Sequence, residues 1–484
     1  MPGGEQLPIL PVAVLLTAAV LAPIVGLVAP RATWGLAVLG GGVAAVTALA
    51  GALRVVAHGP QRYAVGGWPP PWGIEVVLDP LSAFTAAVVT GVTAVTLLTS
   101  GPAVLATGDA RAPTFYALAL LAEGGLVGLV VSGDLFNVFV FLELAAIASY
   151  ALVASGGGPA LAAAFRYLLL GTVGASFYLL GVGLLYAATG TLNMADLAAR
   201  LADAARPLVA GGAAFVLVGL AIKMALFPLH AWLPEAYTHA PAPVAALLAP
   251  VATKAAAYAL ARVLLEVLRP EAPPVGALLT AAGSAAILVG GLQALRQTDG
   301  RRLLAYSSVS QLGYVALGLG LGTPVALVGA YLQVLAHAVA KAALFVAAGA
   351  VAARGGGVRV GALDRAMPRT AACAVAAGLS MVGVPPTGGF FAKWYLLQGA
   401  LEAAQPLVAA VVLGGSLLAA GYVYRFTERL WVGTATPTAG DPEAPACVLA
   451  GLVALAVAVV GVGLGNAVIV ERLLLPAARG AAGG

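Results

Sequence analysis

Lys223, Lys254, Lys341 and Lys393 are the only lysines in 484 residues, and each stands inside an apolar run: LVGLAIKMALF, ALLAPVATKAAAYAL, LAHAVAKAALF and TGGFFAKWYLL. The stretches between apolar runs use arginine instead. An amine taken out of water gives up its proton readily, and a guanidinium does not. An ionisable side chain at membrane depth is costly to keep there and is by default a functional residue. Glu143, in VFVFLELAAIA, adds a carboxylate of the same kind. A Glu/Lys pair that can be made and broken is a proton switch. Together the two groups hold opposite charges and the lysine keeps its proton; apart, desolvation lowers the lysine pKa and that proton can leave. The alternative is a static buried ion pair that fixes helix packing.

His337 and Lys341 are four residues apart, on one face of a helix. A neutral imidazole both accepts and donates, which suits a shuttle, although it serves equally to satisfy a backbone carbonyl. Lys254 follows a proline-bearing run and Lys393 follows Pro-Pro-Thr-Gly-Gly. Beside interrupted backbone, an amine can exchange protons with water; the other reading is a lysine snorkelling toward a helix end. Glu123, His230 and His239 are accessory candidates, the two histidines at a mouth after the seventh helix. The run YSSVSQLGY, Tyr306–Tyr314, either lines a polar path or holds helices together. Glu75 and Asp79 suit the opening of the third helix.

The elements that must position these groups are transmembrane. Hydrophobic residues make up 61% of the chain and charged ones 9%, which excludes an ordinary soluble domain. Apolar segments fall at 8–29, 34–56, 78–100, 114–132, 135–154, 163–188, 208–227, 243–265, 274–294, 303–320, 324–351, 371–402, 407–431 and 446–470. The expected fold is an all-α polytopic membrane protein of about fourteen spanning helices in one domain, 1–484. Pro228 interrupts one helix, and Pro385, Pro386, Gly388 and Gly389 interrupt another. Broken helices are tolerated at membrane depth only against protein or water, and a pair of them points to a transporter's repeats. Two inverted five-helix units are expected, 114–265 and 274–431.

Arginines divide unevenly between alternate loops, with twelve on one side and eight on the other. The richer side, which includes Arg296, Arg301, Arg302, Arg354, Arg359 and Arg365, reads as cytoplasmic, which puts both termini outside. The net charge of +5 is loop bias, so no nucleic-acid partner is expected. Cys373 and Cys447 lack CxxC or CxxH neighbours and no G-x-x-x-x-G-K-[ST] loop occurs, so neither metal nor cofactor is expected.

The stretches GDLFNVFVFLELAAIASYALVA, GTLNMADLAARL, IKMALFPLHAWLPEAYTHAPAPVAALL, LLAYSSVSQLGYV, HAVAKAALF and GVPPTGGFFAKWYLLQGALEA together carry a resemblance. The chain resembles the antiporter-like subunits of multisubunit Na+/H+ (Mrp-type) antiporters, respiratory complex I and membrane-bound hydrogenases. GDLFNVFVFLE, TGTLNMADL and PPTGGFFAKWY look nearest to the D-type subunit of the Mrp antiporters. The resemblance implies a hydrophilic axis in the membrane plane. On it Glu143 matches the essential glutamate of helix five and Lys223 its partner on helix seven. Lys254 matches the connecting position on helix eight, His337 and Lys341 the pair on helix eleven, and Lys393 the terminal lysine of helix twelve. The implied function is proton translocation within a hetero-oligomeric cation/proton antiporter, as part of a transporter and not as an enzyme in itself. Its expected partners are other membrane subunits, the lipid bilayer, protons and Na+, and its place a bacterial plasma membrane. The alternative is a proton-pumping membrane subunit of a redox-driven NADH dehydrogenase or hydrogenase.

Overall fold

The structure, a computed structural model, describes residues 6–108, 110–268, 275–353, 367–432 and 443–481. The helices are α1 Leu10–Val28, α2 Ala32–His58, α3 Pro80–Leu105, α4 Ala112–Val131, α5 Leu135–Ala154, α6 Pro159–Thr189, α7 Met194–Arg200 and α8 Arg206–Met224. They continue as α9 Trp232–His239, α10 Ala242–Arg262, α11 Val275–Arg296, α12 Gly300–Leu321, α13 Pro324–Ala352, α14 Pro368–Val382 and α15 Gly388–Glu402. α16 Pro406–Val432, α17 Ala446–Leu464, α18 Asn466–Ile469 and α19 Leu475–Ala481 complete the order. Arg269, Arg354, Arg359 and Arg365, used for the orientation, lie outside the described residues, as does residue 274 at the start of the second expected unit.

The chain is helical as expected, with one small departure. Strands β1 Gln61–Ala64 and β2 Glu75–Leu78 form an antiparallel hairpin in the break between α2 and α3, with Gln61 opposite Leu78. Glu75 therefore sits in a strand and does not open α3. Asp79 does: its carboxylate accepts from Leu81 N at 3.1 Å and Ser82 N at 2.9 Å, satisfying donors that the first turn leaves free.

Twelve described helices are long and apolar enough to cross a membrane. The two expected spans outside that set are α12, diluted by its Ser/Gln run, and the α14/α15 pair, whose halves hold 15 residues each. Among the twelve, α10 and α13 are the most enclosed, 94% and 83% buried along their apolar stretches, and α12 is buried along nearly all of its length, so the helices that carry Lys254, His337 and Lys341 belong to the centre of the bundle. Around them α6 lies against α8 at backbone distance. A Cβ at Gly181 would come within 2.6 Å of the Gly212 carbonyl, so only glycine permits the approach that fixes α8.

Both interruptions occur, displaced slightly from the expected residues. α8 stops at Met224 because Ala225 turns left-handed (φ 57°), and Pro228 follows in a cis peptide bond with Phe227. The second helix stops at Val382, where Gly383 adopts φ 92°; Pro385 and Pro386 follow. Gly388 and Gly389 are not part of the break. They form the first turn of α15, where Gly389 N donates to Ser380 Oγ across the gap at 3.3 Å.

Candidate functional site

Each interruption leaves carbonyls at a helix end without their next intrahelical donor, and in both places a side chain returns to them. At the first, the Trp232 indole donates to the Ile222 carbonyl at 2.9 Å. At the second, Lys393 Nζ donates to the carbonyls of Met381 at 2.7 Å and Val382 at 3.0 Å. Lys393 is thus held by the end of the broken helix, its ammonium 4.7 Å from the centre of the Tyr314 ring.

Lys223 lies one residue before the end of α8. Its amine donates to Glu143 Oε1, 2.8 Å away in the middle of α5, and stands 3.4 Å from the Tyr150 hydroxyl. The side chains are 9% and 23% exposed, so the pair is largely withdrawn from solvent. Beside it a cavity of about 40 Å³, lined by Ser149, Tyr167, Lys223, Ala252 and Ala256, opens toward α10. It has room for a water molecule, and hydroxyl and amine groups in its wall to bind one.

Lys254 is fully buried on α10 and donates to the Ala249 carbonyl at 2.7 Å. Lys341 is fully buried on α13, with its amine 2.5 Å from both the Leu304 carbonyl and Ser307 Oγ of α12. His337 is 1% exposed, and neither ring nitrogen has a partner among the described residues. A buried ring with both nitrogens unpartnered among the described residues, one helical turn from Lys341, can bind water or pass a proton in either direction.

Among groups that sequence reasoning missed, Gln333 donates to Gln311 Oε1 at 2.6 Å. Gln311 in turn donates to Tyr422 at 2.8 Å and to the Met381 carbonyl at 3.3 Å, the carbonyl that Lys393 also holds. This amide chain ties α13, α12, α16 and the α14 end together beside the axis. Its only sequence signal is a polar residue inside an apolar helix, a signal taken up at Tyr306–Tyr314 alone. There the two readings divide by residue: Ser307 and Tyr314 face the lysines, while Ser310 donates to the Ile287 carbonyl and joins α12 to α11.

The accessory candidates do not join this line. His239 and Arg302 both meet Glu235, at 3.3 Å and 3.0 Å, at the end of the bundle where α9 and α12 begin. His230 stacks on Phe227 within the first interruption. Glu123 is 2% exposed on α4, beside Gly41 of α2, and neither carboxylate oxygen has a partner among the described residues. A buried carboxyl that bonds to nothing weakens the fold. Glu123→Gln is therefore expected to leave proton transport unchanged and to keep or raise the melting temperature of the purified complex; a loss of transport at unchanged stability would instead place Glu123 on a proton path.

Twelve candidate spans, two helix interruptions and the ionisable groups buried among them mark a multi-pass membrane protein of the antiporter-like class. Residues 132–419 match the family model described as NADH:quinone oxidoreductase/Mrp antiporter, TM, and the chain belongs to that family. It is 33% identical to the D-type subunit of the Na(+)/H(+) antiporter of Alkalihalophilus pseudofirmus, over 76% of this chain and 75% of that one. It is 45% identical to the N-type subunit of the NADH-quinone oxidoreductase of Desulforudis audaxviator, over 88% of this chain and 91% of that one. The solved Mrp complex from Dietzia sp. DQ12-45-1b contains a chain that superposes with a TM-score of 0.90 at 29% identity, covering 99% of this chain and 97% of that one. The likeness to the Mrp D-type component is thus borne out, alongside a higher identity to an oxidoreductase component of the N type.

Proposed function

We propose that the chain moves protons along a buried line that starts at Glu143–Lys223, passes Lys254 and His337–Lys341, and ends at Lys393. The observation that carries this is a made ion pair at 2.8 Å in a bundle that also buries the amines of Lys254, Lys341 and Lys393, with His337 unpartnered among the described residues. Breaking the pair frees the amine to shed its proton toward the water-sized cavity and α10. The receiving amines repel a second charge, so only one proton at a time moves along the series. We further propose that 114–265 and 274–431 are the two inverted units, one broken helix in each, that the richer arginine side is cytoplasmic, and that the membrane is the plasma membrane.

The first candidate assembly is a multisubunit Na+/H+ antiporter, supported by the likeness to the D-type antiporter component and to the Mrp complex. The second is a redox-driven proton pump, favoured by the 45% identity to an N-type oxidoreductase component. Purifying the intact complex, identifying its other subunits by mass and reconstituting it in liposomes separates them. Proton movement driven by a sodium gradient supports the first. Movement that requires an electron donor and a quinone supports the second. A complex that moves no protons under either condition sinks both.

A further inference from the structure

A proton line buried in the bundle needs a route to bulk water. Among the described cavities, one of about 380 Å³ opens beside the β1–β2 hairpin, with Arg62, Glu75, Asp79, Arg262 and Glu266 in its wall. Arg62 pairs with Glu75 at 3.0 Å toward its rim. At its floor Arg262, 7% exposed, is held by Asp79 and by Glu266, the latter at 2.8 Å. The carboxylates of Asp79 and Glu266 supply that floor with groups that can take up a proton from the water above it.

Immediately inward lies a gap of only about 10 Å³, bounded by Leu81, Phe84, Val334 and the rings of Tyr258 and Tyr331. Leu81 borders both the cavity and the gap. A volume of about 10–15 Å³ is the least that admits one water, so the passage is nearly shut. Tyr258 and Tyr331 are 5% and 3% exposed, and neither hydroxyl has a hydrogen-bond partner among the described residues. Tyr258 is one helical turn from Lys254 on α10, with Arg262 one turn further on the same face. Tyr331 precedes His337 by less than two turns on α13. Tyr258 and Tyr331 thus set two buried phenol groups in the wall of the gap, Tyr258 with Ser82 as a polar neighbour.

We propose that the Arg262–Asp79–Glu266 cluster and the Tyr258 and Tyr331 hydroxyls form a gated proton branch that joins this cavity to Lys254 and His337. The carboxylates collect protons over the gap. When one water enters, it takes a proton from the protonated carboxyl and passes one of its own to a phenol oxygen, as that phenol releases its hydrogen to the next acceptor; water and hydroxyl are then both unchanged in charge, and the carboxylate is free to take up another proton. With the gap closed, the branch does not leak. The branch rests on the proton axis proposed above and adds its route to one membrane face.

The test uses Tyr258→Phe and Tyr331→Phe, singly and together, in the assembled complex in vesicles. Because these hydroxyls make no bond, a purely structural role predicts unchanged transport and an unchanged or higher melting temperature. The branch predicts loss of transport by about a hundredfold in the double variant, with the melting temperature unmoved. As a second measurement, Val334→Cys, with Cys373 and Cys447 replaced by serine, is exposed to a small water-borne methanethiosulfonate. The branch predicts labelling from the cavity face only, faster during turnover. Wild-type transport in the double variant overturns the branch, as does transport loss that tracks a fall in melting temperature with Val334→Cys unlabelled. Lys223→Ala serves as the control. If it too transports normally, the axis itself fails; if it is inactive while the tyrosine double variant is not, only the branch fails.

Discussion

Glu143→Gln and Lys223→Ala are each expected to abolish proton transport, and each to destabilise the complex more than the double variant Glu143→Gln/Lys223→Met does. The pair is made at 2.8 Å with side chains 23% and 9% exposed. Removing one member of a fully buried pair leaves the other charge uncompensated and costs about 3–5 kcal/mol. The partial exposure of Glu143 places the cost at the lower end or below it. Lys223→Ala leaves a carboxylate facing the Tyr150 hydroxyl and little else. Glu143→Gln leaves an amine beside a cavity of about 40 Å³, where the proton it sheds has no counter-charge to return to. The double variant Glu143→Gln/Lys223→Met buries no net charge, so it is expected to regain most of the lost stability and none of the transport. A static pair predicts a different pattern, in which transport follows stability and returns with it. The measurements are pH-dye quenching in everted vesicles and thermal unfolding of the purified complex. Normal exchange in both single variants would remove the pair from the mechanism.

Gly389→Ala is the second large effect. An added Cβ at this position would run into the backbone carbonyl of Ser380 on the end of α14. The obstacle is main chain, so no side-chain rotation relieves it, and α15 must move away from α14. Overpacking of this kind costs about 1–3 kcal/mol. The functional loss is larger, because the displacement withdraws Lys393 from the Met381 and Val382 carbonyls that hold it. The expected result is a lowered melting temperature together with transport reduced to background. Ser380→Gly removes the hydroxyl but not the carbonyl, so it is not expected to rescue the variant. A Gly389→Ala complex that melts and transports like the wild type would show that the two half-helices are not seated as described.

Much of this was legible in the residues. Lysines confined to apolar runs pointed to amines that the fold must hold, and each of the four has a hydrogen-bond acceptor in the bundle. Runs of apolar residues marked out the helices, since a spanning segment must satisfy its backbone internally. Pro228 and Pro385–Pro386 marked the interruptions within a few residues. They did not mark the stopping points, which Ala225 and Gly383 set by turning left-handed. Proline shows where a helix cannot continue; the residue that ends it depends on which carbonyls find another donor.

What the sequence could not supply was partnership. Glu123 and Glu143 look alike in the chain, each a lone acid in an apolar helix. Only packing puts a lysine 2.8 Å from Glu143 and leaves Glu123 with no partner among the described residues. The hairpin in the α2–α3 break, the Gln333–Gln311–Tyr422 chain and the Tyr258–Tyr331 gap all join residues far apart in sequence. Composition and periodicity determine which segments enter the membrane and which groups are expensive to bury there. Which of those groups meet is decided by how the helices pack, because a hydrogen bond is settled within a few tenths of an ångström and no local pattern carries that distance.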